Sequence, residues 1–190
     1  MRKIILITAL LITSFNTDCF ALKKELKKGV IITSKDTINC FFNQVINYPN
    51  RKNLKYKLSL EDEEFKKISI KEIKQLHTEQ DKYYRITTNY IPGKGAISYL
   101  MKLLTKGEIT LYEYAYDISS QHGGGQNYTY YLIIDNKISK FKKRKAEKIL
   151  PELFTDNQDL LDKLKQMKRK DFFQLETIVE LIESYNQSKL

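Results

Sequence analysis

Two periods divide this chain. Between Gly29 and about Lys143 apolar and polar residues alternate over long stretches, and after Lys143 apolar residues recur every three or four positions. Alternation sends successive side chains to opposite faces of a strand, whereas recurrence at three and four gathers them on one side of a helix. The pattern predicts a β-rich body and a helical tail. Gly29 to Ser34 reads as a first strand, Ser34, Lys35 and Asp36 as a tight turn, and Thr37 to Asn47 as the hairpin partner. Leu54, Tyr56, Leu58 and Leu60 alternate with Lys55, Lys57 and Ser59 in a strand with one wet face, and Glu61 to Glu64 marks a loop. Tyr83 to Ile91 places Tyr84, Ile86, Thr88 and Tyr90 on one face and ends at Pro92, Gly93 and Gly95. Glu108 to Asp117 and Tyr128 to Asn136 are the strongest strands, joined through Gly123, Gly124 and Gly125 in a long hairpin. Asp135 to Lys137 then turns the chain toward Ile138 and Phe141.

Two stretches fit both periods. Ile70, Ile73 and Leu76 keep a near-helical spacing, but a strand from Ile73 onward fits as well. Ile97, Leu100, Met101 and Leu104 suit a short helix, while Lys106-Gly107 suits a hairpin turn. In the tail, Leu160, Leu161, Leu164 and Met167 form one stripe, and Phe172, Leu175, Ile178, Val179, Ile182 and Tyr185 form a longer one, with Asp156 and Asp171 placed to cap the two helices. The longer stripe is predicted to pack on the sheet from about Asp171 to Tyr185. Strands first and helices last predict an α+β fold: a mostly antiparallel sheet body, a sandwich or partly open barrel, followed by two to three C-terminal helices.

The first 21 residues do not share this pattern. Arg2 and Lys3 open the chain, Ile4 to Ile12 is almost unbroken apolar sequence, and Thr13 to Ala21 is more polar and ends in a small residue. That is the three-part form of a secretory signal peptide, and its apolar run is about half of the roughly 20 residues that span a bilayer. The predicted cut lies between Ala21 and Leu22. Residues 22–190 are then expected to form a single exported domain without a transmembrane span, in the periplasm or cell envelope or secreted. A lipid-bearing Cys19 is the weaker reading, because Asn16, Thr17 and Asp18 are not the apolar and small residues that such a signal needs. After cleavage Cys40 has no intramolecular partner. It shares a strand face with Ile38 and Phe42 and is expected to be a buried structural thiol.

Composition narrows the class. With 42% hydrophobic residues, 7 Gly and 3 Pro, the chain is neither disordered nor collagen-like. Its net charge of +10 would suit nucleic acid, but the export signal redirects that charge toward anionic lipid, acidic glycan or an acidic protein. Lys outnumbers Arg 28 to 5, which an AT-rich genome also explains, and the densest run, Lys137 to Lys148, reads as a solvated face.

Gly29-Val30-Ile31-Ile32-Thr33 followed by Asp36-Thr37-Ile38 resembles the opening hairpin, G-x-I-x-T-x-x-G-D-T-I-x-G, of a group of uncharacterised exported proteins of Bacteroidota. Those proteins often close with a Leu-rich segment around an Asp and an amphipathic helix ending in Tyr-Asn, as Leu153 to Leu161 and Ile178 to Asn186 do here. Lys35 and Cys40 stand where that pattern has glycines. The resemblance implies an envelope location and brings no activity with it.

Three local features bear on chemistry. His122-Gly123-Gly124-Gly125 spells the oxyanion-hole loop of some esterases, but no G-x-S-x-G nucleophile turn accompanies it, and three glycines between two strands read more simply as a hairpin tip. His77, His122 and Cys40 come from separate segments without paired ligand spacing, so neither a metal nor a cofactor is predicted. Tyr112, Tyr114 and Tyr116 share one face of a strand opposite Ile109, Leu111 and Ala115, and Tyr128 and Tyr130 face them or their neighbours across the hairpin. The simplest arrangement covers both faces, one with the sheet's own core and one with the C-terminal helices, and leaves the hydroxyls at a wet rim. The functional arrangement is an exposed aromatic strip for a glycan or peptide. The expected function is a non-catalytic envelope module that binds a protein, lipid or glycan. The alternative is a small exported hydrolase assembled from dispersed residues, with His77 or His122 as base.

Overall fold

The computed structural model describes residues 26–43, 52–91, 95–118 and 125–190. The expected leader, the end of the second predicted strand after Asn43, and His122 with Gly123 and Gly124 lie outside the described residues. The strands are β1 (Leu26–Thr33), β2 (Thr37–Asn43), β3 (Asn53–Tyr56), β4 (Lys66–Ser69), β5 (Ile73–Thr78), β6 (Lys82–Ile91), β7 (Gly95–Thr105), β8 (Thr110–Ile118), β9 (Gly125–Ile134) and β10 (Lys137–Phe141). The helices α1 (Ala146–Leu153), α2 (Gln158–Gln166) and α3 (Leu175–Gln187) follow, with 3-10 turns at Lys143–Lys145 and Arg169–Phe173. The chain is α+β, as the pattern predicts.

Eight strands form one antiparallel sheet in the order β10-β9-β8-β7-β6-β5-β1-β2, and β3 and β4 form a second, two-stranded sheet. The large sheet is not closed into a barrel; β10 and β2 are its edges. Among the described residues no helix is long and apolar enough to cross a membrane.

Partners across a ladder share a face, so register sorts the side chains. On one face lie Leu111 with Leu132, Glu113 with Tyr130, Arg85 with Leu100, and Ile31 with Leu76. Over the β8–β10 end of this face the three helices bury Ile109, Leu111, Leu132 and Phe141 against Leu150, Phe154, Leu164, Phe172, Ile178 and Ile182. Over the other end the small sheet brings Tyr56 and Ile68 onto Ile31, Cys40, Phe42 and Leu76. The tail stripe therefore packs on the sheet. Its last turn is locked: the Asn186 carboxamide accepts from the Ile109 N–H at 2.9 Å and donates to the Ile109 carbonyl at 2.8 Å, while Tyr185 stacks on Phe154 at 5.0 Å. Gly107 keeps this lock possible, because a Cβ there would collide with the Asn186 side chain.

The opening hairpin is held by its threonine. Thr33 Oγ1 accepts from the Asp36 N–H at 2.9 Å and the Lys35 N–H at 3.1 Å, and the Thr33 N–H donates to the Asp36 carbonyl at 2.9 Å. Lys35 has no positive φ, so this turn does not require a glycine there. Thr78 and Asp81 repeat the arrangement between β5 and β6. Gly29 does matter, since a Cβ would strike the Phe42 ring and the His77 carbonyl. The β9–β10 hairpin turns on Asp135 and Asn136, both at positive φ, the two-residue turn that matches strand twist.

Elsewhere the structure settles what the pattern left open and corrects it in places. Residues 73–78 are strand; a register shift between Ile32 and Thr33 puts Ile73 and Leu76 in one core, and one extra residue imitates helical spacing. Residues 95–105 are strand as well, apolar on both faces, with Leu100 and Leu104 on one and Met101 and Leu103 on the other. The strand predicted to reach Leu60 ends at Tyr56, because the Asp62 carboxylate takes the Leu58 and Ser59 amides at 2.8 and 3.0 Å and curls the chain. Leu58 and Leu60 are exposed. Neither predicted cap is in place. Asn157, one residue beyond Asp156, caps α2 by accepting from the Leu160 N–H, and Asp156 instead pairs with Lys189. Asp171 closes the turn at Lys168, and α3 starts only at Leu175.

Candidate functional site

The opposite face of the sheet is built of tyrosine. Tyr84 and Ile86 of β6, Tyr99, Met101 and Leu103 of β7, Tyr112, Tyr114 and Tyr116 of β8, and Tyr131 and Ile133 of β9 form one cluster, drawn entirely from four adjacent strands. Tyr84 and Tyr112 stand two strands apart, about 9–10 Å at ordinary spacing, yet their ring centroids are 6.1 Å apart at 68°. They lean together across β7, and Met101, the ladder partner of Tyr84, is 0% exposed there. Tyr99 meets Tyr114 at 4.6 Å, and Tyr114 stacks on Tyr116 at 5.8 Å and 20°.

The ladder explains the crowding. Among the described residues β7 and β8 are paired from Lys102 with Glu113 to Thr105 with Leu111 and not beyond, although β7 runs back to Gly95 and β8 on to Ile118. Beside that unpaired stretch the tyrosine rings supply the contact. Tyr112 is 8% and Tyr114 7% exposed, so the face is not the fully exposed strip considered from sequence; it buries its own side chains. The Tyr114 hydroxyl is buried and has no hydrogen-bond partner. Burial holds this phenol well above its ordinary range, and the nearby Tyr99, Tyr131 and Tyr116 add to the shift. Burial also raises Tyr99, Tyr112 and Tyr131. A buried hydroxyl without a partner forfeits about 1–3 kcal/mol, and phenols both donate and accept. The cluster is thus an apolar bed with unused hydrogen-bonding capacity.

The five tyrosines singled out from sequence divide between the faces. Tyr112, Tyr114 and Tyr116 belong to the cluster, but register places Tyr130 opposite Glu113 and Tyr128 opposite Ala115, on the helix-covered face. The residue that meets Tyr112 is Tyr131. Tyr128 is 49% exposed, while Tyr130 is buried beneath the Lys143 ammonium, 5.5 Å from its ring. Tyr84 was visible by alternation. Tyr99 and Met101 were hidden by the unresolved period of β7, and Tyr131 by a register that only pairing reveals.

On the helix-covered face a polar bridge joins the two cores. The Lys102 ammonium meets the Asp81 carboxylate at 2.8 Å, the Tyr83 hydroxyl donates to Asp81 at 3.4 Å, and Lys102 sits opposite Glu113. Burial raises the Glu113 carboxyl despite Lys102, and the Tyr130 hydroxyl bonds to it; burial and that carboxylate push Tyr130 up to about 12. The groups satisfy one another. His77 lies on the tyrosine face, where its Nε2 pairs with Gln75 Oε1 at 2.9 Å. Cys40 is buried beside Phe42, its thiol pushed up to about 11 by burial. Among the described residues no group of three or more His, Cys, Asp or Glu could hold a metal ion.

Compared with known protein families, with curated proteins and with solved structures, the chain matches none.

Proposed function

We propose that the protein is an exported, non-catalytic binding module of the cell envelope and that its ligand lies on the tyrosine face. The observation that carries this reading is the buried, unpartnered Tyr114 hydroxyl within a cluster drawn from one face of four adjacent strands. A purely structural layer would pair or omit that hydroxyl. The leader-like first 21 residues and the likeness of both chain ends to exported proteins of Bacteroidota support the location. The hydrolase reading has less behind it, since the described hydrogen bond of His77 goes to Gln75 and the carboxylates of Asp81 and Glu113 are engaged on the other face.

Tyrosine nitration mapped by mass spectrometry tests the reading. In the presence of isolated envelope material Tyr99, Tyr116 and Tyr131 should be protected, while Tyr128 on the opposite face reacts as before. Equal modification of all four with and without the envelope would overturn it.

A further inference from the structure

The tyrosine face carries an ordered row of charge. Ladder register aligns His77 with Lys82, Leu103 with Tyr112, Tyr112 with Tyr131, and Tyr131 with Lys140; continuing the Tyr83–Lys102 pairing by one residue sets Lys82 beside Leu103. One line of side chains thus crosses β6 to β10: Lys82, Leu103, Tyr112, Tyr131, Lys140. Both lysines are exposed, and among the described residues neither enters an ion pair. The described strand side chains on this face include Lys28, His77, Lys82 and Lys140 and no carboxylate; Glu113 points to the other face. Four strand steps separate the two lysines, about 19 Å at ordinary spacing.

Resting on the proposed binding face, we infer that its ligand is an acidic polysaccharide laid across the strands. Sugar rings present C–H faces that pack on partly exposed phenol rings such as Tyr99, Tyr116 and Tyr131, and their hydroxyls match phenols that both donate and accept. Carboxylates recurring along such a polymer meet cations at the two ends of an apolar track. Other occupants fit less well. A second copy would set like charges against like, face to face. A lipid surface would need side chains able to insert, whereas the rings of this face lean on one another and are at most partly exposed. An extended acidic peptide would gain its main-chain hydrogen bonds at a sheet edge, not on a face.

The test uses the intrinsic fluorescence of a chain with 13 Tyr and no Trp. Polygalacturonate oligomers should bind, with an affinity that falls as salt rises; dextran, poly-glutamate and phosphatidylglycerol vesicles should bind at least tenfold more weakly. The double variant Lys82→Glu/Lys140→Glu should lose about tenfold or more in polygalacturonate affinity. Lys137→Glu, one strand end away on the opposite face, should leave it unchanged. Preference for vesicles, poly-glutamate or dextran, or equal loss with Lys137→Glu, overturns the polysaccharide assignment. The nitration map then decides the broader reading separately: protection of Tyr99, Tyr116 and Tyr131 by envelope material keeps the face as the binding site even if its ligand is of another class.

Discussion

The two faces of the large sheet solve one problem in different ways. On the helix side a second layer does the burying, and its polar groups are matched: Asn186 to the Ile109 backbone, Lys102 to Asp81, Tyr130 to Glu113. On the tyrosine side the strands bury their own residues through leaning rings, and one hydroxyl is left over. A matched, layered face supplies stability that a ligand would only disturb. A self-covered face with spare hydrogen-bonding capacity gives up some stability and gains a surface that recognition can use.

The comparison breaks first if the layer is not needed. Ending the chain after Lys170 removes Phe172, Ile178, Leu181 and Ile182, all buried. Each contributes on the order of 1.5–3 kcal/mol against a domain total of about 5–15 kcal/mol. The shortened chain should lose its cooperative melt or become insoluble; an unchanged melting temperature would make α3 dispensable to the layer.

A finer cut separates layer from lock. Asn186→Ala leaves the Ile109 N–H and carbonyl unpaired behind α3, an expected loss of about 1–3 kcal/mol per group in urea unfolding. Gly107→Ala should destabilise in the same direction by displacing Asn186. Because both act through one contact, the double variant should lose less than the sum; strict additivity would show that the lock is not shared.

The sharpest contrast comes from removing one oxygen on each face. Tyr130→Phe gives up a bond to Glu113 and should cost about 1 kcal/mol or more, whereas Tyr114→Phe removes a hydroxyl without a partner and should leave stability equal or higher by about 1 kcal/mol. Urea midpoints that fall alike for both would erase the difference between the faces.

The smallest effect is in pH. Burial raises Glu113 above its ordinary value of 4.5, so the folded chain holds that proton more tightly than the unfolded chain. Its contribution is fully present below the ordinary value and is lost as pH rises through the folded one. Glu113→Gln should flatten stability from about pH 4.5 upward; a slope unchanged by the substitution would assign it to other groups.

What the sequence made legible is what local pattern encodes. The β8–β9 hairpin strands and the α3 stripe announce themselves because one face of each is wet or differently populated. β7 does not, since a strand apolar on both faces carries no period, and Ile73 with Leu76 misleads because a bulge adds a residue. The tyrosine site was half visible. Tyr112, Tyr114 and Tyr116 follow from alternation, but choosing Tyr131 over Tyr130 requires the register, a relation between segments that neither segment contains. The one-residue displacement of the α2 cap from Asp156 to Asn157 is of the same kind, settled when Lys189 takes the aspartate.

The Asn186 lock also has a consequence in time. It reaches back 77 residues to Ile109, so the strands leave the ribosome well before the residues that lock the layer over them. Until residue 186 is free, the apolar side of β8, β9 and β10 has only the part of its lid that α1 and α2 supply, and the contact that would seal it is long-range and slow to close. The layered side of the sheet thus reaches its final form only when the turn that carries Asn186 has been made.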